Sequence, residues 1–220
     1  MTPLDLEKAR ENMVKQQLRT WETLDEQVLN LIQNTPRELF VPEAYHHVAY
    51  ADMQIPLAHG EAMMPPNIEA RLLQAVAIQP TDNVLEVGTG SGYLTAVISQ
   101  AAHHVVSVEI HPDMTETARQ KLDELNIHNV TLENGNAANG WEKHAPYDVI
   151  IITGSLPALS EKYEYSLNVG GRMFAIVGKS PVMEAVLITR VGENEFTHEF
   201  LFETDLPPLQ QVTESSSFVL

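Results

Sequence analysis

The sequence predicts an α/β fold, doubly wound around a mostly parallel sheet, with a helical segment before it and an antiparallel hairpin after it. Three observations carry this. From position 83 onward, short apolar runs alternate with helical stretches at a spacing that suits parallel strands joined by right-handed crossovers. The first run ends in the glycine-rich turn Glu86-Val87-Gly88-Thr89-Gly90-Ser91-Gly92. The last two runs are joined by Gly192-Glu193-Asn194, the composition of a hairpin turn.

The N-terminal quarter reads helical. Thr2-Pro3 makes an N-cap and first-turn pair, and Leu6, Ala9, Met13, Gln17 and Leu18 recur at helical spacing. Asp25 is placed to cap a second helix carrying Val28, Leu29 and Ile32, stopped by Pro36. From Arg37 to Pro66 the periodicity dissolves among Pro42, Pro56, Gly60, Pro65 and Pro66, and a long segment of this kind points to function. A third helix is predicted from about Asn67 to Ala77, with Ile68, Leu72, Leu73 and Val76 on one face.

Strands are predicted over 83–87, 105–109, 129–133, 147–152 and 172–177. The helices between them run from the glycine turn through Ala102, from Pro112 to about Leu125, and near 158–167, the last ending at Gly170-Gly171. Residues 185–190 and 196–202 form the hairpin, after which Pro207-Pro208 and a Ser-rich tail are expected to trail off. The expected organisation is one domain: a helical, substrate-covering segment over 1–78, a Rossmann-like core over 79–205 and a tail over 206–220.

Composition removes whole classes of function. With 220 residues, 44% of them hydrophobic, the chain can bury a core, so wholesale disorder is excluded. It has no cysteine, which excludes disulfides, thiolate metal sites and a cysteine nucleophile. Thirteen basic against 30 acidic residues leave a net charge of −17, a field that repels nucleic-acid phosphates and anionic membranes. His46-His47 and His103-His104 are adjacent pairs that converge poorly on one ion, and no His-Glu-x-x-His occurs, so no metal is expected. Ser91 and Ser155 lack the context of a hydrolase nucleophile. The first eight residues mix charge with apolar side chains, unlike a secretory signal, and the apolar runs are strand-sized; a cytoplasmic protein is expected.

The glycine turn is the first candidate site. Glycines at a strand-to-helix junction let the backbone turn tightly and approach a ligand, although a purely structural turn reads the same way. The spacing is not that of a dinucleotide loop, because the third glycine follows the second after one residue. Nor is it a phosphate loop, since Tyr93-Leu94 stands where Lys-Ser/Thr is required. Glu109 ends the second strand, facing the crevice where open α/β sheets bind ligands, and its carboxylate can accept from both hydroxyls of a ribose. Asn134-Gly135-Asn136-Ala137 follows the third strand, where an amide can meet an adenine edge.

This trio resembles the class I S-adenosylmethionine-dependent methyltransferases, in which an acidic residue placed like Glu86 precedes the glycine loop. More narrowly, the chain resembles the protein-L-isoaspartate O-methyltransferase family from roughly Met13 to Arg190. The blocks that carry this are Pro36-Arg37-Glu38-Leu39-Phe40-Val41-Pro42 and Glu86 to Tyr93. Ala49-Tyr50-Ala51-Asp52, Ser107-Val108-Glu109, Ala145-Pro146-Tyr147-Asp148 and Gly170-Gly171 extend them. The resemblance implies S-adenosylmethionine as cofactor, S-adenosylhomocysteine as product, and contacts from Glu86, Gly88, Thr89, Gly90, Ser91, Gly92, Glu109, Asn136 and Ala137. It implies methylation of an isoaspartyl carboxylate in a protein or peptide, leading to a succinimide and partial return to aspartate.

The sequence departs from the family in the segment that lines the substrate pocket. Where the family has Gln-Thr-Ile-Ser-Gln-Pro, this chain has Glu61-Ala62-Met63-Met64-Pro65-Pro66, so the threonine position is Ala62 and the serine position is Met64. The family's Gly-Asp-Gly is Gly135-Asn136-Ala137, and an amide can still accept through its carbonyl oxygen. Met63 and Met64 read either as plain pocket lining or as a pocket remodelled for a less polar substrate. The alternatives are therefore a different substrate, a small carboxylate or a hydroxyl, and a non-catalytic cofactor-binding protein. A carboxylate substrate is already ionised at neutral pH, its reference pKa being about 4. No general base is required, and none stands out in the sequence.

Overall fold

The computed structural model describes residues 3–212, so Thr2 and the tail beyond 212 lie outside the described residues. Helix α1 (Pro3–Asn12) widens into a π-helical turn over Met13–Gln17 and then tightens into a 3-10 turn over Leu18–Trp21. The wide turn has a physical cause. Met13 and Leu18 are five residues apart, the repeat of a π turn, and both are fully buried. Helix α2 (Glu26–Asn34) starts where Asp25 predicted: the carboxylate accepts from Gln27 N–H at 2.8 Å and Val28 N–H at 3.2 Å.

The segment from Arg37 to Pro65 is not without structure. Its prolines exclude regular helix but allow 3-10 turns over Arg37–Leu39, Glu43–Val48 and Ala58–Gly60. On either side of the last, β1 (Ile55–Pro56) pairs antiparallel with β2 (Ala62–Met63). Helix α3 (Pro66–Val76) then opens on a proline, whose missing N–H costs nothing in a first turn, and buries Ile68, Leu72, Leu73 and Val76 as the periodicity required.

The rest is built on β3 (Asn83–Val87), α4 (Tyr93–Ser99), β4 (His104–Glu109), α5 (Pro112–Glu124) and β5 (Val130–Asn134). β6 (Tyr147–Leu156), α6 (Glu161–Tyr165), β7 (Leu167–Lys179), β8 (Val182–Gly192) and β9 (Glu195–Thr204) complete it. The seven-stranded sheet has the order β5-β4-β3-β6-β7-β8-β9, parallel through β7 and antiparallel thereafter. Val84 and Ile151 enter one core cluster and Leu85, Ile150 and Ile152 the other, so both faces of the central strands are buried. Among the described residues no helix is long and apolar enough to cross a membrane.

Two expectations need correction here. Gly170-Gly171 does not end a helix. Helix α6 stops at Tyr165, and both glycines lie inside β7, where its pairing with β6 jumps between Tyr147 and Val149. Nor does the tail trail off at Pro207. Two prolines hold the segment extended and remove two N–H groups, and the bulged end of β6 satisfies what is left. Ser155 donates its N–H to Pro207 O at 3.0 Å and its hydroxyl to Leu206 O at 2.9 Å, and its carbonyl accepts from Leu209 N–H at 2.9 Å. Residues 206–211 thus form a strap across the end of the sheet.

The winding reverses at β3: β4 and β5 lie on one side of it and β6 on the other. The crevice beyond the carboxyl ends of β3 and β6 is where such sheets receive ligands. The strap reaches this crevice because Gly154 leaves room for it. A Cβ there would lie 2.8 Å from Leu209 Cδ2 and 3.2 Å from the Leu209 backbone nitrogen. Gly154→Ala is therefore expected to push the strap outward, raise protease sensitivity in 206–212 and cost about 1–3 kcal/mol in urea unfolding. An unchanged digestion pattern would show that the strap does not depend on this contact.

Candidate active site

A cavity enclosing about 910 Å³ of empty space, its open mouth included, occupies the switch-point crevice. The glycine turn and Glu109 line one side, and Gly135 to Ala138 the end beside β5. Ala62, Met63, Met64, Glu69 and Tyr93 line the opposite wall, and Leu206, Pro207, Leu209 and Gln210 of the strap cover it.

The turn is held from three sides. Gly88 has φ +96°, and a Cβ on it would lie 2.2 Å from the Thr153 hydroxyl, so only glycine fits. That hydroxyl lies 2.9 Å from Val87 O and 2.8 Å from Gly88 O, sharing its hydrogen between them. Glu109, only 4% exposed, accepts from Gly90 N–H at 2.8 Å with one oxygen and from His111 N–H at 3.0 Å with the other. Each oxygen keeps a second lone pair, so two further donors can reach it from the cavity.

Glu86 lies beneath the turn, fully buried, and does not line the cavity; nor does Gly92. One Glu86 oxygen accepts from Thr95 Oγ1 and, at 2.6 Å, from Ser107 Oγ. Since Ser107 spends its hydrogen there, Thr89 Oγ1 donates to Ser107 Oγ at 2.6 Å. This chain of hydroxyls carries the turn's Thr89 down to a buried carboxyl. Burial pushes the Glu86 carboxyl up to about 7, against the Ser107 and Thr95 hydrogen bonds that lower it.

At the far end, Asn136 is engaged by the protein itself. Its Oδ1 accepts from Ala138 N–H at 2.9 Å, and its amide nitrogen donates to Gln211 Oε1 at 3.2 Å. Ala137 follows it in the lining and accepts from the Tyr163 hydroxyl through its carbonyl.

The opposite wall holds a pair that sequence reasoning missed. Arg37 is fully buried; it donates to a Glu69 oxygen and, at 2.6 Å, to Met64 O, and its guanidinium lies 4.6 Å from the Tyr93 ring centroid. Glu69 is 4% exposed and lines the cavity. Burial raises its carboxyl to about 7, with Arg37 pulling the other way. One signal was available: Leu72 and Leu73 stand three and four residues after Glu69, so an acid occupies the buried face of α3.

At the mouth, Gln210 donates to Glu61 Oε1 at 2.6 Å and to His59 O at 3.3 Å, tying the strap to the turn before β2. His59 stacks on His111 with ring centroids 4.1 Å apart and contacts Asp113 at 2.8 Å, which holds that carboxyl below its usual range. Among the described residues no group of three or more His, Asp and Glu is arranged to hold a metal ion.

A family model, Protein-L-isoaspartate(D-aspartate) O-methyltransferase, matches residues 8–212. The chain is 37% identical over 201 residues to protein-L-isoaspartate O-methyltransferase 2 of Pelobacter propionicus, covering 91% of this chain and 89% of that protein. It is 36% identical to the protein-L-isoaspartate O-methyltransferase of Aliivibrio fischeri, covering 91% and 96%. A solved protein-L-isoaspartate O-methyltransferase superposes with a TM-score of 0.78 at 25% identity, covering 90% of this chain and 65% of that one. A Plasmodium falciparum structure provisionally assigned to the same family, in complex with S-adenosyl-L-homocysteine, gives 0.76 at 20% identity over 93% and 98%, a likeness of fold.

The buried Glu86 and Glu69 make a pH signature. An unfolded glutamate loses its proton near 4.5, whereas these hold theirs to about 7, so the folded state binds more protons in between. Stability should be full below the lower value and fall as pH rises through the window, by up to about 1.4 kcal/mol per pH unit for each group. Glu86→Gln keeps the hydroxyl contacts and should make the fall shallower in denaturation at pH 5 to pH 7, leaving the Glu69 share. Superimposable profiles would assign no linked proton to Glu86.

Proposed function

The chain belongs to the protein-L-isoaspartate(D-aspartate) O-methyltransferase family, and on that premise we propose that it transfers the methyl group of S-adenosylmethionine to the carboxylate of L-isoaspartyl residues in peptides and proteins. The observation that carries this at the site is Glu109: a buried carboxylate at the cavity edge, each oxygen holding one backbone N–H and keeping one lone pair. That donor-accepting set fits the two hydroxyls of a ribose, and Gly88, whose missing Cβ makes room for the Thr153 hydroxyl, keeps the turn fixed beside it.

Bound there, S-adenosylmethionine supplies an electrophilic methyl group on a positively charged sulfur. The chain's own task is to hold, align and dry the reactants. Glu109 fixes the ribose; Gly88, Thr89, Gly90 and Ser91 line the turn beside it; Asn136 and Ala137 close the adenine end. Glu86 and Gly92 act from behind, Glu86 by anchoring Thr89 through Ser107. The substrate carboxylate needs no base, because its reference pKa of about 4 leaves it ionised at neutral pH. Alignment and exclusion of water supply the rate, and the buried Met63 and Met64 with Leu206 of the strap are the apolar groups that exclude it. Met64 carries no group that takes part in the chemistry; its place is the wall. The first 78 residues then serve as the substrate-covering segment, since β2 and Glu69 form the wall opposite the turn.

The test is a base-labile methyl-ester assay with matched isoaspartyl and aspartyl peptides. Label in the isoaspartyl peptide alone is the expected result, and none above the aspartyl control would overturn the reading. A second experiment addresses Glu109. Hydrogen bonds to a charged group contribute roughly 1.5–3 kcal/mol, about 10- to 150-fold in affinity. Glu109→Ala should weaken S-adenosylmethionine and S-adenosylhomocysteine alike within that range, whereas Glu116→Ala, on the exposed face of α5, should not. Equal binding by the two variants would remove Glu109 from the site.

A further inference from the structure

The wall facing the glycine turn poses a problem for an anionic substrate. Ala62, Met63 and Met64 bring no hydroxyl, Glu61 accepts from Gln210, and the Gln54 amide donates to Asp205 O at 2.9 Å. Two buried ionisable groups remain on that wall: the Tyr93 phenol, and Glu69, itself a carboxyl, beside the fully buried Arg37. We propose that Glu69 receives the substrate carboxylate as a carboxylic acid, donating its proton in a hydrogen bond to the oxygen that is not methylated. This rests on the isoaspartyl reading above.

The argument is one of buried charge. Arg37 carries one positive charge in a place without water and can balance one anion. In the free protein that anion is Glu69. When a substrate carboxylate enters the same cavity, two anions face one guanidinium, and a pair of carboxylates sharing a site holds a proton between them. The proton goes to the more basic partner. Burial has already raised Glu69 to about 7, an incoming anion raises it further, and a substrate carboxyl starts near 4. The substrate thus stays ionised and able to attack, while Glu69 gains an O–H to donate to it. On transfer the methyl–sulfur bond breaks with its electron pair left on sulfur, the new carbon–oxygen bond forms, and the substrate becomes a neutral ester. Glu69 then returns its proton to solvent and again balances Arg37.

Other groups face Glu69. The Tyr93 phenol on α4 is pushed up by burial, with Glu69, Arg37 and Arg10 of α1 acting on it. Glu86 on β3 feels Glu69 and is itself raised to about 7, and Glu61 lies in the same lining. Glu86 is the rival for the proton, so the test must separate the two.

Calorimetry of an isoaspartyl peptide binding to the protein saturated with S-adenosylhomocysteine, at pH 8 in phosphate and in Tris, measures the proton directly. The proposal expects uptake of about one proton per peptide, and affinity falling by up to about tenfold per pH unit above neutrality. Glu69→Gln still offers Arg37 a carbonyl and the substrate an amide donor; it should bind peptide without uptake and with a flat pH profile. Glu86→Gln should still take up the proton. Wild-type binding without proton exchange overturns the proposal while leaving the isoaspartyl reading intact, and so does uptake that persists in Glu69→Gln or vanishes in Glu86→Gln. Failure of the peptide to bind overturns both. The wild-type and Glu86→Gln measurements decide the matter even where Glu69→Gln fails to fold.

Discussion

One carboxylate holds together the two turns from which the cavity is built. Glu109 ends β4 and reaches sideways to Gly90 in the turn after β3, while its other oxygen caps His111 at the start of the next turn. Neighbouring parallel strands lie ~4.8 Å apart, so without such a bridge the turns at their ends would be independent surface loops. Bridged, they present a fixed edge, and the rest of the site is measured from it. Thr153 braces the same turn from β6, and the hydroxyl chain from Thr89 to Glu86 braces it from below. A turn held on three sides loses little further freedom when a ligand arrives, which is what pre-organisation means in energetic terms.

The parts of this design that could be read from the sequence are those governed by local rules. Apolar runs such as Val149–Ile152 are buried on both faces of a parallel sheet, so their strands were legible to within a few residues. Asp25 before an apolar period, and glycines between strand and helix, carried their meaning in a handful of residues. What could not be read depends on distant partners. Leu206 to Gln211 has no periodicity, and the groups that hold it, Ser155, Glu61 and Asn136, stand 50 or more residues away. The π turn at Met13 follows from burial of Leu18, not from any propensity. Asn136 sits where the sequence placed it, in the lining, but the strap's Gln211 meets its amide.

The buried charges are better understood as positioning than as stabilisation. Taking Arg37 and Glu69 out of water costs several kcal/mol for each ion, and the attraction between them does little more than offset that cost. What the pair achieves is geometry: the second arm of the guanidinium holds Met64 O and its face rests on Tyr93, so the methionine wall, α3 and the start of α4 share one anchor. The price is a carboxyl inside the cavity of a chain that already carries a net charge of −17.

That arrangement bears on why the two walls of the cavity obey different constraints. Glu109 faces a ligand whose hydroxyls must be matched atom by atom, and Gly88 must leave room for the Thr153 hydroxyl that braces the turn, so a side chain at Gly88 or a lost carboxylate has no substitute. The opposite wall has a looser task. Methyl transfer to an ionised carboxylate asks for no proton from the enzyme, only a dry place and a neutral balance of charge. A serine hydroxyl is one way to steady the anion. A protonated carboxyl five residues further along, backed by an arginine that keeps the count of charges constant through the reaction, is another. The wall can therefore exchange Ser and Thr for Met64 and Ala62 without changing the reaction, provided a buried donor is kept within the same cavity. On this view Ala62 and Met64 follow from placing the donor on Glu69: once it no longer comes from those two positions, they are best filled by side chains that exclude water and bring no further charge.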